Sequence, residues 1–350
     1  MTAEPWRAMP AWAVEAAGPL DTGPLQCLHR PVPAPAPHEL LVQVSACGVC
    51  RTDVHLALGE LPPRRPGVVP GHQVVGRVES VGHDVTGWAV RDRVGVAWLA
   101  GTCGSCRWCL DGRENLCASS TYRGWDVDGG FAPYAVAHAD YAYKLPQGLG
   151  DVSVAPLLCA GIIGYRALRR TNLPPGGRLG IYGFGSSGHL TAQVAMHQGA
   201  VVHVMTRGER ARVLARELGV ASVGGATATP PEPLDAAIVF APAGELVPLA
   251  LTAVDAGGTV VLAGIHMSQI PPLDYTSHLF RERDLRTVTA NTRADGEQLL
   301  EIAAAMDLDV RTTAYPFFAV PDALRDIESG AVAGSAVIDL AGHHERRAGS

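Results

Sequence analysis

Half of the eight cysteines in the 350-residue chain crowd into one short segment. Cys103, Cys106, Cys109 and Cys117 lie at spacings of three, three and eight residues, so one loop can wrap four thiolates tetrahedrally around a zinc ion. Four thiolates leave no open coordination position, and the predicted role of this zinc is therefore structural. Two disulfides or idle thiols are the alternative interpretation.

Three further metal-binding side chains lie in separate segments. They are Cys50 in ACGVCRTDVH, His72 in PGHQVVG and Cys159 in PLLCAGIIGY. Two thiolates and one imidazole with an open fourth position would form a catalytic zinc site. The spacing alone equally allows ordinary buried cysteines and a histidine that is hydrogen-bonded in a core.

A glycine-rich turn, GFGSSG, follows the apolar run RLGIYG and opens the helical pattern SGHLTAQVAMHQ. This is the G-x-G-x-x-G arrangement of a dinucleotide site. Gly183 permits the tight turn, Gly185 admits a pyrophosphate close to the backbone, and Gly188 allows close packing of the helix. Ser186 and Ser187 complete the loop. A plain structural turn is the alternative.

The residues after the next predicted strand, VVHVMTR, indicate which dinucleotide is bound. Enzymes specific for NAD usually place an acidic residue there, against the ribose hydroxyls, whereas this chain has Thr206 and Arg207. A hydroxyl with guanidinium groups from Arg207 and from Arg210 or Arg212 favours a 2′-phosphate. We therefore predict a preference for NADP(H), unless these arginines only form the solvated face of a helix.

Length and composition narrow the remaining function classes. A chain of 350 residues predicts two hydrophobic cores. The net charge of −6 gives no reason to bind nucleic acid. We found no leader sequence and no apolar run long enough for a membrane helix, so the predicted location is the cytoplasm and no membrane partner is expected.

The pattern of apolar and turn residues changes near residues 156 and 291. Before 156, short β segments such as LLVQVSA and VVGRVESV are separated by turn residues. Between 156 and 291, apolar runs alternate with helical patterns, which predicts a parallel sheet covered on both faces. After 291 we expect a helix over 296–306 and then two strands, YPFFAV and SAVIDL, that return to the first module.

Taken together, GVCRTDVH, PGHQVVG, the four-cysteine loop, LLCAG and GFGSSG resemble the zinc-dependent medium-chain alcohol dehydrogenase family, in the same order and over nearly the whole chain. The resemblance implies an α/β fold. A GroES-like distorted β catalytic domain would comprise 1–155 and 292–350, and a Rossmann domain with a doubly wound parallel sheet would comprise 156–291. It also implies one catalytic zinc, held by Cys50, His72 and Cys159, and one structural zinc in the four-cysteine loop.

The same resemblance implies roles for four residues near Cys50. Thr52 would touch the zinc-bound oxygen and pass its proton through the cofactor ribose toward His55. Asp53 would orient the zinc ligand His72, and Arg51 would contact the cofactor phosphates. The alternatives are a surface imidazole for His55 and a turn-capping aspartate for Asp53.

The sequence departs from the family pattern at two positions. Gln73 stands where many members have glutamate, so the local charge of a zinc ion with two thiolates sums to zero, and we expect a more electrophilic zinc. Ile163 stands where several members have threonine against the nicotinamide ring. Leu61, Trp98 and Trp125 are expected around the substrate pocket.

The predicted function is hydride transfer between a primary alcohol or aldehyde and NADP(H), with two zinc ions per chain and a homodimer or homotetramer as the assembly. A zinc-free quinone or enone reductase of the same superfamily is one alternative. A non-catalytic zinc-binding module is another, because a fold alone does not establish activity.

Overall fold

The computed structural model describes residues 8–342. The strands, in chain order, are β1 (Ala8–Val14), β2 (Leu25–Pro31), β3 (Glu39–Val49), β4 (Gln73–Val81), β5 (Arg93–Val96), β6 (Leu99–Gly101), β7 (Thr121–Tyr122), β8 (Tyr134–His138), β9 (Ala142–Lys144), β10 (Arg178–Tyr182), β11 (Val201–Met205), β12 (Ser222–Gly224), β13 (Leu234–Val239), β14 (Val254–Leu262), β15 (Asp284–Thr287), β16 (Thr312–Pro316) and β17 (Ser335–Asp339). The α-helices are α1 (Arg51–Leu58), α2 (Arg107–Leu110), α3 (Asp151–Val154), α4 (Ala160–Thr171), α5 (Ser186–His197), α6 (Glu209–Glu217), α7 (Leu246–Ala253), α8 (Tyr275–His278), α9 (Arg293–Ala305) and α10 (Val320–Ser329).

The chain forms two compact units. Among the described residues, the second unit comprises Ala160–Asn291 and Ala305–Asp309, and the first comprises 8–159, Thr292–Ala304 and 310–342. The first unit extends to Cys159 because the buried 3-10 turn Ala155–Leu158 packs against β3 and β4. Cys50, His72 and Cys159 therefore all belong to the first unit.

Strand β3 is the centre of the first unit. The sheet runs in the order β16-β17-β3-β4-β5-β9, and β8 also pairs with β3. The register of β3 against β4 shifts after Leu41 and again after Val44. Such bulges bend a strand and increase its local twist, which lets this long strand pair with β4, β8 and β17. Leu40, Val42 and Val44 of β3 are fully buried.

The end of the chain returns to β3, but only one of the two expected strands has its predicted extent. SAVIDL forms β17, which pairs antiparallel with β3. The expected strand YPFFAV is wrong beyond Pro316, because Phe317–Ala319 form a 3-10 turn and α10 begins at Val320. Pro316 lacks an N–H group, and Pro321 suits the first turn of a helix.

Helix α9 begins three residues before the predicted start at 296. Thr292 and Asp295 cap it reciprocally. The Thr292 N–H donates to Asp295 Oδ2 at 2.8 Å, and the Asp295 N–H donates to Thr292 Oγ1 at 3.2 Å. This arrangement satisfies donors that would otherwise be left at the helix start.

The second unit is a six-stranded sheet in the order β12-β11-β10-β13-β14-β15. Every strand pair is parallel. Helix α5 packs on β10 and β11, and α7 packs on β13 and β14. The strand order reverses between β10 and β13. In open parallel sheets, ligands bind outside the carboxyl ends of the strands at such a reversal, and GFGSSG starts at the carboxyl end of β10.

Within residues 8–342, no single helix is long and apolar enough to cross a membrane. The segments 151–158 and 160–171 pass that test only together, as a bent pair and by length and composition alone. Most of their residues are buried.

Arg178 and Asp235 tie together the amino ends of β10 and β13. The Arg178 backbone N–H donates to Asp235 Oδ2 at 2.7 Å, and its guanidinium group donates to both carboxylate oxygens at 2.9 Å. These bonds from Arg178 hold the pKa of Asp235 below its usual range.

Asp235→Asn is expected to lower the free energy of unfolding near neutral pH by about 1 kcal/mol. Charge-assisted bonds contribute about 1.5–3 kcal/mol, and solvent weakens this one because the Asp235 side chain is 28% exposed. The pKa of Asp235 is lowered in the folded state, so its contribution is present above the unfolded-state pKa and is lost as the pH falls through the folded-state pKa.

Thermal melts of the wild type, Asp235→Asn and the exposed control Asp111→Asn should therefore be compared. The Tm deficit of Asp235→Asn should be constant from pH 8 to about pH 5 and shrink below about pH 4. Equal Tm values for the wild type and Asp235→Asn at neutral pH would contradict the account.

Candidate functional site

Asp53 holds together the two chain segments that carry Cys50 and His72. Its side chain is buried, with 2% exposed. The Cys50 N–H donates to Asp53 Oδ2 at 2.9 Å, which caps the start of α1. The Gly71 N–H donates to Oδ1 at 3.1 Å, and His72 Nδ1 lies 3.4 Å from the same oxygen. One carboxylate therefore fixes both segments and the Nδ1 edge of the imidazole ring.

Glycine is required at position 71 for this approach. Its φ of +92° lies in the left-handed region, and a Cβ there would lie 2.6 Å from the Phe131 ring and 2.8 Å from Cys47 Sγ. A larger residue would push the His72 segment away from Asp53.

The imidazole of His72 presents its other nitrogen to two sulfur atoms. Nε2 lies 3.4 Å from Cys50 Sγ and 3.3 Å from Cys159 Sγ. Zinc bonds of about 2.3 Å to sulfur and about 2.0 Å to nitrogen imply S···N separations of about 3.5 Å in a tetrahedral site. With the Nδ1 proton directed at Asp53, Nε2 is the nitrogen that would give up its proton and bind the ion. The three donors therefore fit one zinc ion.

The charges at this cluster favour a thiolate. Burial lowers the pKa of His72, but the Cys50 thiolate and the Asp53 carboxylate outweigh burial and raise it to about 10. A hydrogen bond with Cys159 and the charge on His72 hold the pKa of Cys50 well below its usual range, against the effect of burial. The hydrogen bond with Cys50 and burial raise the pKa of Cys159. A deprotonated sulfur is the form that binds metal.

The other predicted residues of α1 lie at its two ends. The Thr52 N–H donates to Cys50 Sγ at 3.3 Å, which places Thr52 at the cluster. His55 lies in the last turn, where its Nδ1 contacts the Glu60 carboxylate. The exposed Arg51 donates to the Glu328 carbonyl oxygen of α10 at 3.2 Å. Glu60 was not predicted as a site residue.

The four cysteines of the loop 103–117 also surround one point. The Sγ atoms of Cys103 and Cys109 are 3.9 Å apart, those of Cys106 and Cys109 3.6 Å, and those of Cys103 and Cys117 3.6 Å. A tetrahedral four-thiolate zinc site implies about 3.8 Å between sulfurs, whereas a disulfide requires about 2.05 Å. The structure therefore contains no disulfide in this loop, and the four donors fit a closed zinc site.

Hydrogen bonds within the loop favour the thiolate form of Cys103. The Ser105 and Cys106 N–H groups donate to Cys103 Sγ, and these bonds lower the pKa of Cys103 to about 6. Cys109 Sγ lies 3.3 Å from Thr102 Oγ1, which in turn lies 2.7 Å from the Tyr141 hydroxyl.

A buried glutamate joins this loop to α9. Glu114 is 4% exposed, and its Oε1 accepts bonds from the backbone N–H of Arg293 at 2.9 Å and from its Nε at 3.3 Å. The two residues are 179 positions apart, and no sequence spacing pairs them. The only sequence signal was a glutamate between two ligand cysteines.

The glycine-rich turn has the geometry that a pyrophosphate requires. Gly183 has φ +93°, and a Cβ there would lie 2.8 Å from the Ala241 nitrogen. A Cβ at Gly188 would lie 2.6 Å from the Gly183 carbonyl oxygen. Nothing lies within 4 Å of the Cβ position at Gly185, and α5 starts at Ser186 and Ser187. Open space before a helix N-terminus suits an anion.

The residues predicted to select the cofactor lie around the end of β11. Thr206 is buried and its N–H donates to the Gly224 carbonyl oxygen at 3.1 Å, while Arg207 is exposed. The Arg212 guanidinium binds the Glu209 carboxylate at 2.7 Å and reaches the Thr206 carbonyl oxygen at 3.5 Å. Glu209, which draws Arg212 toward the start of α6, was not predicted as a site residue.

Aromatic rings form a wall beside the three-ligand cluster. The centroid of the Trp98 ring lies 6.2 Å from that of His72 and 4.4 Å from that of Tyr122. Trp125 extends the stack, its ring centroid 6.0 Å from that of Tyr122, and its Nε1 donates to the Pro62 carbonyl oxygen. Tyr122 was not predicted, because its strand β7 has only two residues.

The two departures from the family pattern lie in different units. Gln73 is buried on β4, where a Cβ at Gly48 would meet its Oε1 at 2.6 Å. Its Nε2 has no hydrogen-bond partner among residues 8–342. Ile163 is half-buried on α4. The chemical effects of both departures stay predictions.

Two family models match this chain. Residues 36–147 match the alcohol dehydrogenase GroES-like domain, and residues 188–305 match the zinc-binding dehydrogenase domain. The chain belongs to the zinc-type medium-chain dehydrogenase/reductase family. This membership confirms the resemblance and, with the parallel sheet, the predicted α/β fold of GroES-like and Rossmann parts.

Known proteins align with this family member over almost their full lengths. "Probable alcohol dehydrogenase AdhA" of Mycobacterium tuberculosis is 56% identical over 335 residues, which cover 94% of this chain and 97% of that protein. The solved structure of a cinnamyl alcohol dehydrogenase from Sorghum bicolor has a TM-score of 0.85 and 28% identity, with 96% and 98% of the two chains covered. A cobalt- and zinc-bound thermostable alcohol dehydrogenase from Pyrobaculum aerophilum has a TM-score of 0.86 and 25% identity, with 95% and 100% covered.

Alanine at Gly183 should lower stability, whereas alanine at Gly185 should weaken dinucleotide binding. Gly183→Ala is expected to destabilise the second unit, because a positive φ costs a residue with a Cβ about 1–2 kcal/mol and the Ala241 nitrogen is too close. Gly185→Ala should fold normally but weaken dinucleotide binding about tenfold or more, because its methyl group enters the space for the pyrophosphate.

Thermal melts and calorimetric titration with NADPH separate these outcomes. A shift of about 2–4 °C in Tm per kcal/mol is expected for Gly183→Ala. Wild-type NADPH affinity in Gly185→Ala would refute the assignment of this turn.

Proposed function

We propose that this protein is a zinc-dependent alcohol dehydrogenase that transfers hydride between a primary alcohol, or its aldehyde, and NADP(H). In this proposal the first unit is the catalytic domain and the second binds the dinucleotide. The observation that carries it is the convergence of Cys50 Sγ, His72 Nε2 and Cys159 Sγ, with Asp53 on the far nitrogen of the imidazole.

The proposal assigns two zinc ions to each chain. Cys103, Cys106, Cys109 and Cys117 would hold a structural ion, and Cys50, His72 and Cys159 would hold the catalytic one. Zinc with an open position lowers the pKa of an alcohol hydroxyl and polarises an aldehyde carbonyl. The cobalt and zinc in the Pyrobaculum aerophilum structure support metal binding by this fold.

The chain's own residues would position the substrate and move its proton. The Thr52 hydroxyl is proposed to hydrogen-bond the substrate oxygen, since its backbone already contacts Cys50. His55 is proposed to accept the proton at the other end of α1. The Trp98 ring beside His72 limits the room around the reacting carbon, which favours a carbon with one substituent, as in primary alcohols.

The NADP(H) preference rests on the residues after β11. Thr206 and Arg207 place a hydroxyl and an exposed guanidinium where a carboxylate would exclude a 2′-phosphate. Arg212 would contribute from α6 while it remains bound to Glu209. Arg51, which donates to an exposed carbonyl of α10, is proposed to contact the cofactor phosphates.

A zinc-free reductase of the same superfamily and a non-catalytic module are the rival functions. A zinc-free reductase has no use for two thiolates and an imidazole oriented by a buried carboxylate, and a non-catalytic zinc module has no use for Thr52 and His55 on the helix that follows Cys50. For these reasons we prefer a zinc enzyme. We further propose that the protein is cytoplasmic, because a reducing compartment keeps the ligand thiols free. The proposed assembly, a homodimer or homotetramer, rests on the family resemblance.

Wild-type protein should reduce primary aldehydes with a kcat/KM for NADPH at least about tenfold above that for NADH. Thr206→Asp should shift the ratio toward NADH, because the new carboxylate repels a 2′-phosphate and accepts hydrogen bonds from ribose hydroxyls. Initial rates across short, long and aromatic aldehydes measure both quantities, with the exposed Thr252→Asp as control. Absence of turnover with both dinucleotides would overturn the function, and an unchanged ratio would overturn only the cofactor preference.

The two metal sites should respond differently to loss of one ligand. Cys50→Ser is expected to lose about one of two zinc ions per chain and nearly all turnover, with little change in Tm. Cys106→Ser should also lose about one zinc but lower Tm markedly, because a structural site contributes directly to folding. Elemental analysis, melts and rates with and without a chelator make the comparison. Full turnover in zinc-free wild-type protein would favour the zinc-free reductase.

A further inference from the structure

We propose that Glu60 is the positioning residue for His55, holding its imidazole in the tautomer that can accept the substrate proton. This inference rests on the proposed function, in which His55 accepts a proton during alcohol oxidation. No motif pointed to Glu60; the contact between the two side chains does.

The end of α1 is built so that Glu60 turns back onto the helix. The helix ends at Leu58, and Gly59 takes a φ of +82°, where a Cβ would also meet that of Ala17 at 3.2 Å. The Leu61 N–H then donates to the His55 carbonyl oxygen at 3.0 Å. This closure brings the Glu60 carboxylate to His55 Nδ1, and Oε2 and Nδ1 are in hydrogen-bond contact.

A carboxylate at Nδ1 determines which nitrogen carries the proton. A carboxylate oxygen only accepts, so the neutral imidazole keeps its hydrogen on Nδ1 and its lone pair on Nε2. A proton that arrives at Nε2 forms an imidazolium whose Nδ1–H still bonds Glu60 and whose charge the carboxylate offsets. The Nε2 proton then passes to solvent, and the neutral tautomer is restored without ring rotation.

The burial of the pair matches this role. The His55 side chain is 14% exposed and that of Glu60 is 51% exposed. His55 is therefore held on one side by the protein, while the Glu60 carboxylate remains hydrated. The exposed contact itself adds little stability, so its main effect is on the orientation and the tautomer of His55.

Several other charged side chains on α10 and at the start of α1 bind partners other than His55. Helix α10 packs against α1, and its Arg325 binds Asp322 while its Asp326 accepts from the Tyr315 hydroxyl. At the start of α1, Arg51 binds a carbonyl of α10 and Asp53 bonds Cys50, Gly71 and His72. Among these carboxylates, Glu60 contacts the His55 ring.

A double-mutant cycle with His55→Gln, Glu60→Gln and the double variant tests the inference on the zinc-loaded enzyme. Glu60→Gln keeps the size of the side chain but removes the charge. We expect kcat for alcohol oxidation to fall about tenfold in Glu60→Gln, with KM values within about twofold of the wild type and unchanged Tm and zinc content. The double variant should be no slower than His55→Gln, because Glu60 acts only through His55. Glu79→Gln, the same change at an exposed position of the first unit, should match the wild type.

The outcomes separate the inference from the function on which it rests. An inactive wild type overturns the proposed function. An active wild type with wild-type kcat in His55→Gln overturns the proton path, and the role of Glu60 with it. If His55→Gln is slow but Glu60→Gln is not, or if their effects multiply in the double variant, only the role of Glu60 is overturned.

Discussion

The buried carboxylate of Asp53 is the contact on which the candidate metal centre depends. It accepts from the Cys50 N–H at the start of α1, from the Gly71 N–H, and from the Nδ1 side of His72. A buried carboxylate is costly unless its lone pairs are satisfied, and here three donors from two chain segments satisfy them. The same bonds set the distance between Cys50 and His72, and they direct Nε2 of His72 at the two sulfurs.

The helix α1 connects this centre to the predicted proton path. Cys50 caps its start, Thr52 lies in its first turn and His55 in its last. A rigid helix of about two turns spaces these groups by fixed increments of about 1.5 Å per residue, so a displacement of Asp53 would move all of them together. Glu114 anchors the four-cysteine loop in a similar way, because it binds both the backbone and the side chain of Arg293 at the start of α9.

The local parts of this architecture could be predicted from the sequence, and the long-range partners could not. The four-cysteine spacing and the G-x-G-x-x-G turn can each be recognised in one short stretch of sequence, and both have the expected local geometry. The contact of Asp53 with His72 came from the family resemblance, since nothing in the spacing of 53 and 72 requires it. Glu114 with Arg293 and Tyr122 in the aromatic wall depend on tertiary packing and carry no periodic signal.

Two segments show how neighbouring residues change the outcome that a sequence pattern predicts. The apolar run YPFFAV reads as a strand, but the prolines at 316 and 321 convert it to a turn and a helix start. Arg212 was predicted to bind a 2′-phosphate from the sequence alone, and Glu209 one turn earlier on the same helix binds its guanidinium group, so a phosphate would share Arg212 with Glu209. In both cases the residue responsible lies nearby in the sequence, and the prediction did not take it into account.

The most direct test of the role of Asp53 is zinc X-ray absorption on the wild type and on Asp53→Asn. With both sites filled, the wild type should show an average of about three sulfur neighbours at about 2.3 Å and one nitrogen or oxygen neighbour at about 2.0 Å per zinc. In Asp53→Asn the zinc content should fall and the average should move toward four sulfurs, because only the closed site retains its metal. The same zinc content and the same average coordination in both proteins would contradict the account.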